Sequence, residues 1–593
     1  MSIDASAVAR VTGITTQFQD MRAGSVLFLP QQIAVFAQGN SDALYSDEKW
    51  LAPSAGATGA RFGFGSPAHL ILRELMPSNG DGVGTIPVRV YPLTAPAGAV
   101  AAQGELTVSG TATKGAAYRL RIGGVLSEAF VIPKGAVNAA DVYGRISAAV
   151  RAVLEMPVNV SHSYGTPTAS QGPNEGDGTI GSLSVSGTPS PGTWRLVLTN
   201  EVANGGIWSL IDPSGTTVAN DLTMIVGPGA TTAFSRAGLN FSVTDGAVNF
   251  ASGDEFQITV PATSARFTAK WKGASGNAIK VEVLTDEYVG VVFAVTQPTG
   301  GLLNPSVTAA LEKVGPVWES MAINAAPIED TTILDQFREF GEGRWLPEVG
   351  KPIVVFTGVT HPTVELATAV SSGRRDDRVN AQLVAPGSPN LPFVVAARQL
   401  ARIAKIANND PARDYGSQRA TGLIPGPDED QWGYLQRDQA VKLGSSTIEI
   451  KDGVVAISDV VTFYRPTGEE PPAYRFVKNI VKLQTCLYNV WLAFNTEDWD
   501  GAPLIPDDQP TVSGSAKKPK TMRALAAAIV DSLGLQAIIS DPARAKNGIV
   551  AQISTQNPDR LDLEIPVQVS GNTNVKDIRL KWGLYFGTAA VVG

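Results

Sequence analysis

The chain has 593 residues, of which 44% are hydrophobic and only 17% charged, with a formal net charge of −8. That length predicts roughly four domains at about 150 residues each. The composition excludes an intrinsically disordered chain, which needs low hydrophobicity and high net charge, and the acidic balance disfavours broad nucleic-acid binding through phosphate neutralisation.

Residues 1–24 are small and polar with scattered apolar positions, among them Val11 and Ile14, and predict an extended N-terminal arm with too little apolar surface to pack alone. No basic stretch leads into an apolar one, so no secretory leader is expected there. Ser25–Gly39 carries two short apolar runs around Pro30 and predicts two strands. A helix is expected at Ala68–Met76 and a strand at Thr85–Leu93. From residue 97 to 271 the pattern changes. Tyr118, Leu120 and Ile122 alternate with polar neighbours, as do Trp194, Leu196 and Leu198, and Phe256, Ile258 and Val260. Period-two alternation marks half-buried strands, so this stretch reads as a β-rich domain with one helix (Val142, Ile146, Val150, Leu154), inserted into a discontinuous α/β core of residues 25–96 and 272–475. In the second part of the core, strands are expected at Ile279–Leu284, Val291–Thr296, Pro352–Thr357 and Ala381–Val384. Helices are expected at Asn304–Lys313, Ile328–Phe340, Pro362–Ser372 and Pro392–Asn408, a rhythm that favours a sheet covered on both faces. Residues 476–575 predict a C-terminal α+β domain. Its long helix, Tyr474–Phe494, should bury the stripe Phe476, Ile480, Leu483, Leu487 and Trp491, and a second helix is expected at Thr521–Leu533 after a polar, Pro-rich loop. Residues 576–593 form a C-terminal arm in which Ile578, Leu580, Trp582, Leu584 and Phe586 alternate with other residues, as a strand docking on a neighbour's edge would.

Chemical motifs are sparse. The single cysteine, Cys486, excludes a disulfide framework and any CxxC site, and three histidines leave no histidine-rich metal centre; no metal or cofactor is expected. No apolar run approaches the ~20 residues of a bilayer span. These features together predict a soluble protein of a reducing compartment. Gly176-Asp-Gly-Thr-Ile-Gly181 matches GxGxxG but lies in a Gly/Ser loop with no helix after it, so it lacks the context of a dinucleotide site. His361, after the apolar strand KPIVVFTGVT, is the best placed of the three histidines for catalysis, though a His at a strand end beginning a helix is the ordinary reading. Asp428–Asp430 and Glu497–Gly501 lack calcium-loop spacing, and Arg374–Arg378 mixes signs as an ion-pair network does. Lys517, Lys518, Lys520 and Arg523 form the one dense positive cluster, at a helix start where cations oppose the macrodipole. A mobile lysine loop and a docking patch for an acidic partner both fit it.

Three segments resemble the contractile tail sheath proteins of bacteriophages, in their Mu-like branch. They are Trp271-Lys-Gly-Ala-Ser-Gly-Asn-Ala-Ile-Lys280-Val-Glu-Val, Ala420-Thr-Gly-Leu-Ile-Pro425-Gly-Pro, and Leu443-Gly-Ser-Ser-Thr-Ile-Glu-Ile-Lys-Asp-Gly453-Val-Val-Ala-Ile followed by Val460-Val-Thr-Phe-Tyr464. Their order and spacing hold from about residue 25 onward. The resemblance implies an α/β core, called subtilisin-like in that family for its fold and without protease activity, with the β-rich insertion outside and the C-terminal domain facing an inner tube. It further implies a subunit that polymerises as stacked hexameric rings around a tail tube, meets baseplate and tail terminator proteins, and contracts to drive the tube through a host envelope. Such a protein resides in a virion tail assembled in the host bacterial cytoplasm, with no direct nucleic-acid contact, no membrane insertion and no cofactor. On that footing, Val11, Ile14 and the alternating residues Ile578–Phe586 are expected in inter-subunit strands, and Lys517, Lys518, Lys520 and Arg523 against the tube. The alternatives are a hydrolase using His361 and an adhesive surface protein binding host glycans through the β-rich domain.

Overall fold

The computed structural model describes residues 27–574, apart from 138, 286, 288 and 469–472, together with 576, 578–580 and 582. The chain divides into two compact units.

The larger unit, residues 31–405 and 417–475, is built on a six-stranded sheet. Its strands are β1 (Ile33–Gln38), β2 (Trp50–Leu51), β3 (Val88–Leu93), β4 (Met321–Asn324), β5 (Val354–Val359) and β6 (Asn380–Val384), in the spatial order β2-β3-β1-β4-β5-β6. All neighbours run parallel except the edge strand β2. Every residue of β1, β4, β5 and β6 is buried, as expected of parallel strands covered on both faces. One cluster packs Phe36, Tyr91, Ile333 and Phe337; another packs Ile328, Leu334, Val359, Val364 and Val384. Four polar side chains cross the sheet within this apolar setting. Asn324 Nδ2 donates to Thr357 Oγ1 at 3.1 Å, Asn380 Nδ2 to the Leu334 carbonyl at 2.9 Å, and Gln382 Nε2 to the Ala367 carbonyl at 2.8 Å. These bonds pair the amide N–H groups, each of which would cost about 1–3 kcal/mol if buried unpaired.

The structure alters several sequence expectations for this unit. Only the second run of Ser25–Gly39 forms a strand; residues 27–30 have no regular structure. The short strand β4 is not readable in the sequence, since three apolar residues followed by Asn324 are too few to carry a period. Val281–Leu284 and Val291–Thr299 are strands, but not core strands. The first pairs with Ala116–Ile122 and the second with Gln103–Ala112, so the β-rich insertion continues past residue 271 to Thr299. Its neck is a reciprocal backbone pair: Val100 N–H donates to the Leu302 carbonyl at 3.2 Å, and Leu302 N–H to the Val100 carbonyl at 3.1 Å. Within the insertion, Gln103–Ala112 and Val158–Tyr164 flank Ala262–Ala269. The helix Ala139–Arg151 carries Val142, Ile146 and Val150 inward as expected, whereas Leu154, the fourth position of the expected stripe, lies beyond the helix end and is exposed. A second core gathers Trp194, Trp208, Phe241, Phe250 and Phe256.

The smaller unit comprises the described part of the first 30 residues, 406–416 and the chain from 476. Helices Val477–Phe494, Pro519–Leu535 and Pro542–Asn547 enclose Cys486, Ala526, Val530, Leu533 and Ile539. The hairpin Val550–Ile553/Leu561–Glu564 and the pair Ile539–Ser540/Gln568–Val569 complete it. The long helix is turned from its expected orientation. It buries Lys478, Ile480, Lys482, Gln484, Thr485 and Asn489, whereas Trp491 of the expected apolar stripe is 54% exposed and Leu483 and Leu487 are half-buried.

Candidate functional site

The positive cluster heads the helix Pro519–Leu535, which starts two residues earlier than expected because Pro519, with no N–H to satisfy, suits the first turn. Cations at this end oppose the helix dipole, and the structure answers them with Asp507 from the preceding loop. Its Oδ1 accepts the Lys520 N–H at 2.7 Å and its Oδ2 pairs with Arg523 Nη2 at 2.5 Å. The Lys520 backbone hydrogen bond, with the Arg523 pair, holds the Asp507 carboxyl below its ordinary pKa. Arg523 also donates to the Ala551 carbonyl at 3.1 Å, Lys518 Nζ to the Gln509 carbonyl, and Lys517 Nζ sits 5.3 Å over the Trp499 ring. The cluster is therefore a knob stapled by contacts to its own chain. On one face of this helix Leu533 is buried while Leu525 and Ile529 are half-buried.

Ile578, Leu580 and Trp582 stand 82%, 82% and 78% exposed, outside any strand of this chain. Leu584, Phe586, Val11 and Ile14 lie outside the described residues.

His361 lines a cavity of about 850 Å³ at the C-terminal ends of β4 and β5, where open α/β sheets place their ligands. Gly358 shapes its floor: a Cβ there would lie 1.6 Å from the Pro392 carbonyl oxygen, so only glycine lets the Pro392–Asn409 helix begin so close. His361 Nε2 lies 2.6 Å from Glu329 Oε1. Burial pushes the Glu329 carboxyl up, yet the His361 hydrogen bond and charge together leave it below its ordinary pKa. A serine- or cysteine-type hydrolase would also need a hydroxyl or thiol nucleophile on the ring. Ser275 in the lining instead accepts from Trp271 Nε1 at 2.9 Å. Three further polar lining residues are turned to their own chain: Asn277 exchanges two bonds with Gly301, Asn304 holds the Ala274 N–H and Asp330, and Lys280 donates to the Gly387 and Ser388 carbonyls.

The other motifs are structural. His162 lies in the strand Val158–Tyr164, its Nε2 2.7 Å from Ser147 Oγ, and Ser147 is buried. His69 is buried and accepts the Gly65 N–H at 3.1 Å. The GxGxxG stretch leads into the strand Thr179–Val185, with Asp177 Oδ1 accepting the Val248 N–H at 2.7 Å. Arg374 pairs with Asp335 and Asp377, and Arg378 with Glu342, the expected ion-pair network. Among the described residues no group of three or more His, Cys, Asp or Glu side chains could hold a metal, and no helix is long and apolar enough to cross a membrane.

Sequence reasoning missed two features of this unit. Asp507 carried no readable signal, since loop carboxylates are common. Lys478, Lys482, Thr485 and Asn489 did: they recur at i, i+4, i+7 and i+11, a polar stripe at helical spacing.

The chain is similar in sequence to a tail sheath protein, as its motifs suggested. The particular relative is the Mu-like prophage FluMu tail sheath protein of Haemophilus influenzae, 23% identical over 315 residues. The match covers 51% of this chain and spans 63% of that protein's length. No family model matches. Among solved structures, the sheath tail protein of Listeria innocua aligns over 93% of this chain and 94% of its own at 10% identity and a TM-score of 0.41. That of Desulfitobacterium hafniense aligns over 92% and 93% at 10% identity and 0.38. At these scores the two structures add no argument.

Proposed function

We propose that this chain is a structural subunit of a contractile tail sheath and not an enzyme. The observation that carries the reading is the sequence similarity to the Mu-like prophage sheath protein over half of the chain. In this reading subunits polymerise as stacked hexameric rings around a tail tube, between baseplate and tail terminator proteins, and the subtilisin-like core is a mechanical body. Exposed Ile578, Leu580 and Trp582 support strand addition to a neighbouring subunit, because large apolar side chains left in water at sheet spacing favour a partner's edge. The stapled cations Lys517, Lys518, Lys520 and Arg523 face the acidic surface of the tube. On release from the baseplate the extended lattice relaxes to a shorter, wider one with more buried interface, each subunit moving largely as a rigid body and driving the tube through the host envelope. The particle is a virion tail assembled in the bacterial cytoplasm. Electron microscopy of the purified full chain is the test. Hollow helical tubes of six-fold symmetry are the expected product; a monomer at every concentration, or hydrolysis lost on His361→Ala, would overturn the reading.

A further inference from the structure

The helix Val477–Phe494 turns its polar stripe inward. Lys482 is fully buried, and its Nζ donates to the Ser570 carbonyl at 2.6 Å and to Asn572 Oδ1 at 2.8 Å. Asn572 Nδ2 in turn donates to the Ala412 carbonyl at 2.8 Å, and one turn back Lys478 pairs with Asp414 at 2.7 Å. Two turns further on, Asn489 grips the other end of the unit. Its Oδ1 accepts the Leu27 N–H at 3.1 Å and its Nδ2 donates to the Leu27 carbonyl at 2.9 Å. This reciprocal pair holds Leu27 as a strand neighbour would. Seven residues apart, Lys482 and Asn489 share one helix face and stand about 10 Å apart along the axis.

A buried lysine is an expensive way to fill space, and an apolar residue of equal volume usually serves stability as well or better. Burial, with Lys478 nearby, pulls the Lys482 ammonium down to about 8 against the opposing influence of Asp414 and Asp410. What the arrangement supplies instead is position: a charge-assisted bond fixes one backbone carbonyl and one side chain, and an amide pair fixes a second strand of chain.

We propose that the helix Val477–Phe494 is a shared clamp for two segments of the chain, one at Leu27 and one at Ser570–Asn572. In an assembled sheath, tension between neighbouring subunits then passes from one segment to the other through two turns of this helix rather than through the α/β sheet. The clamp follows from the contacts above; the tension path rests on the sheath reading.

Amide exchange and sedimentation of the full chain test the two parts separately. Lys482→Met keeps the volume and removes the bonds, while Asn572→Ala removes the partner and leaves the helix untouched. Both are expected to raise the exchange rate at Ser570 about tenfold, the effect of losing about 1.4 kcal/mol of local protection, with Leu27 unchanged. Asn489→Leu should do the converse. All three should reduce the fraction of protein sedimenting as tubes while the midpoint of thermal unfolding moves little. Unchanged exchange at Ser570 in the folded Asn572→Ala variant would overturn the clamp, whatever happens to Lys482→Met. Faster exchange with wild-type tube formation would overturn the tension path. Failure of the wild-type chain to form tubes would count against the sheath reading, while exchange in the monomer still decides the clamp.

Discussion

At the residue scale, His69 offers a pH dependence whose sign is determined. Burial pushes its imidazole down to about 4, against about 6.5 in an unfolded chain. Between these values the unfolded state binds a proton that the folded state refuses, so stability falls as pH drops from about 6.5 to 4 and the contribution is complete above 6.5. The loss amounts to roughly 3 kcal/mol, at ~1.4 kcal/mol per unit. Urea denaturation of the wild type and His69→Gln across that range should show a smaller pH slope in the variant; parallel slopes would assign the acid sensitivity to other groups. The cation knob gives a second outcome at this scale. Changing Lys517, Lys518 and Lys520 to Glu leaves the Asp507–Arg523 staple in place and suits the helix dipole, so the circular dichroism spectrum should stay native. Assembly on purified tubes should be lost, and wild-type co-sedimentation should weaken as salt rises. Normal assembly by the triple variant would remove the knob from the tube interface.

At the element scale, the segment beyond residue 575 is the informative one. Ile578, Leu580 and Trp582 together would bury several hundred Å² in a neighbour's groove, worth several kcal/mol at ~25 cal/mol per Å², and each added backbone hydrogen bond would contribute ~1 kcal/mol. Deleting residues 576–593 should therefore yield a folded protein with an unchanged melting temperature that no longer sediments as polymer. Tubes of normal yield from the truncated chain would show that lateral contacts elsewhere hold the lattice.

At the scale of the whole molecule, the neck at Val100 and Leu302 decides how the insertion can be removed. Replacing residues 101–301 by a short linker joins chain ends already hydrogen-bonded to one another, the condition under which inserted domains are tolerated. Trp271 is lost with them. Its ring is fully buried against Phe393 at 5.9 Å, so the product should fold with a lower melting temperature, the change being of the 3–5 kcal/mol order of a core Trp→Ala. Replacing only 97–271 leaves Val281–Leu284 and Val291–Thr299 without their partner strands. Exposed unpaired strands aggregate, so this shorter excision should be insoluble. Size-exclusion chromatography of the two products distinguishes them, and a monodisperse shorter excision would refute the neck.

The sequence alone determined what depends on local pattern. Alternation identified the strands around Tyr118, Trp194 and Phe256, fully apolar runs identified β1 and β5, and helical period identified Pro392–Asn409, because each is a property of neighbours along the chain. It also carried the motifs that resemble sheath proteins. Tertiary structure alone decided which surfaces those elements turn to one another. Val281–Leu284 and Val291–Thr299 have the pattern of core strands, yet their partners lie some 160–190 residues earlier in the insertion, and nothing local encodes that choice. The long helix carries an apolar stripe and a polar stripe, either of which could face inward. The polar one is buried, together with Val477, Ile480, Val481 and Cys486, because Ser570, Asn572, Asp414 and Leu27 arrive from distant parts of the chain to satisfy it. The free energy of burying a charge is set by partners that only the folded chain assembles.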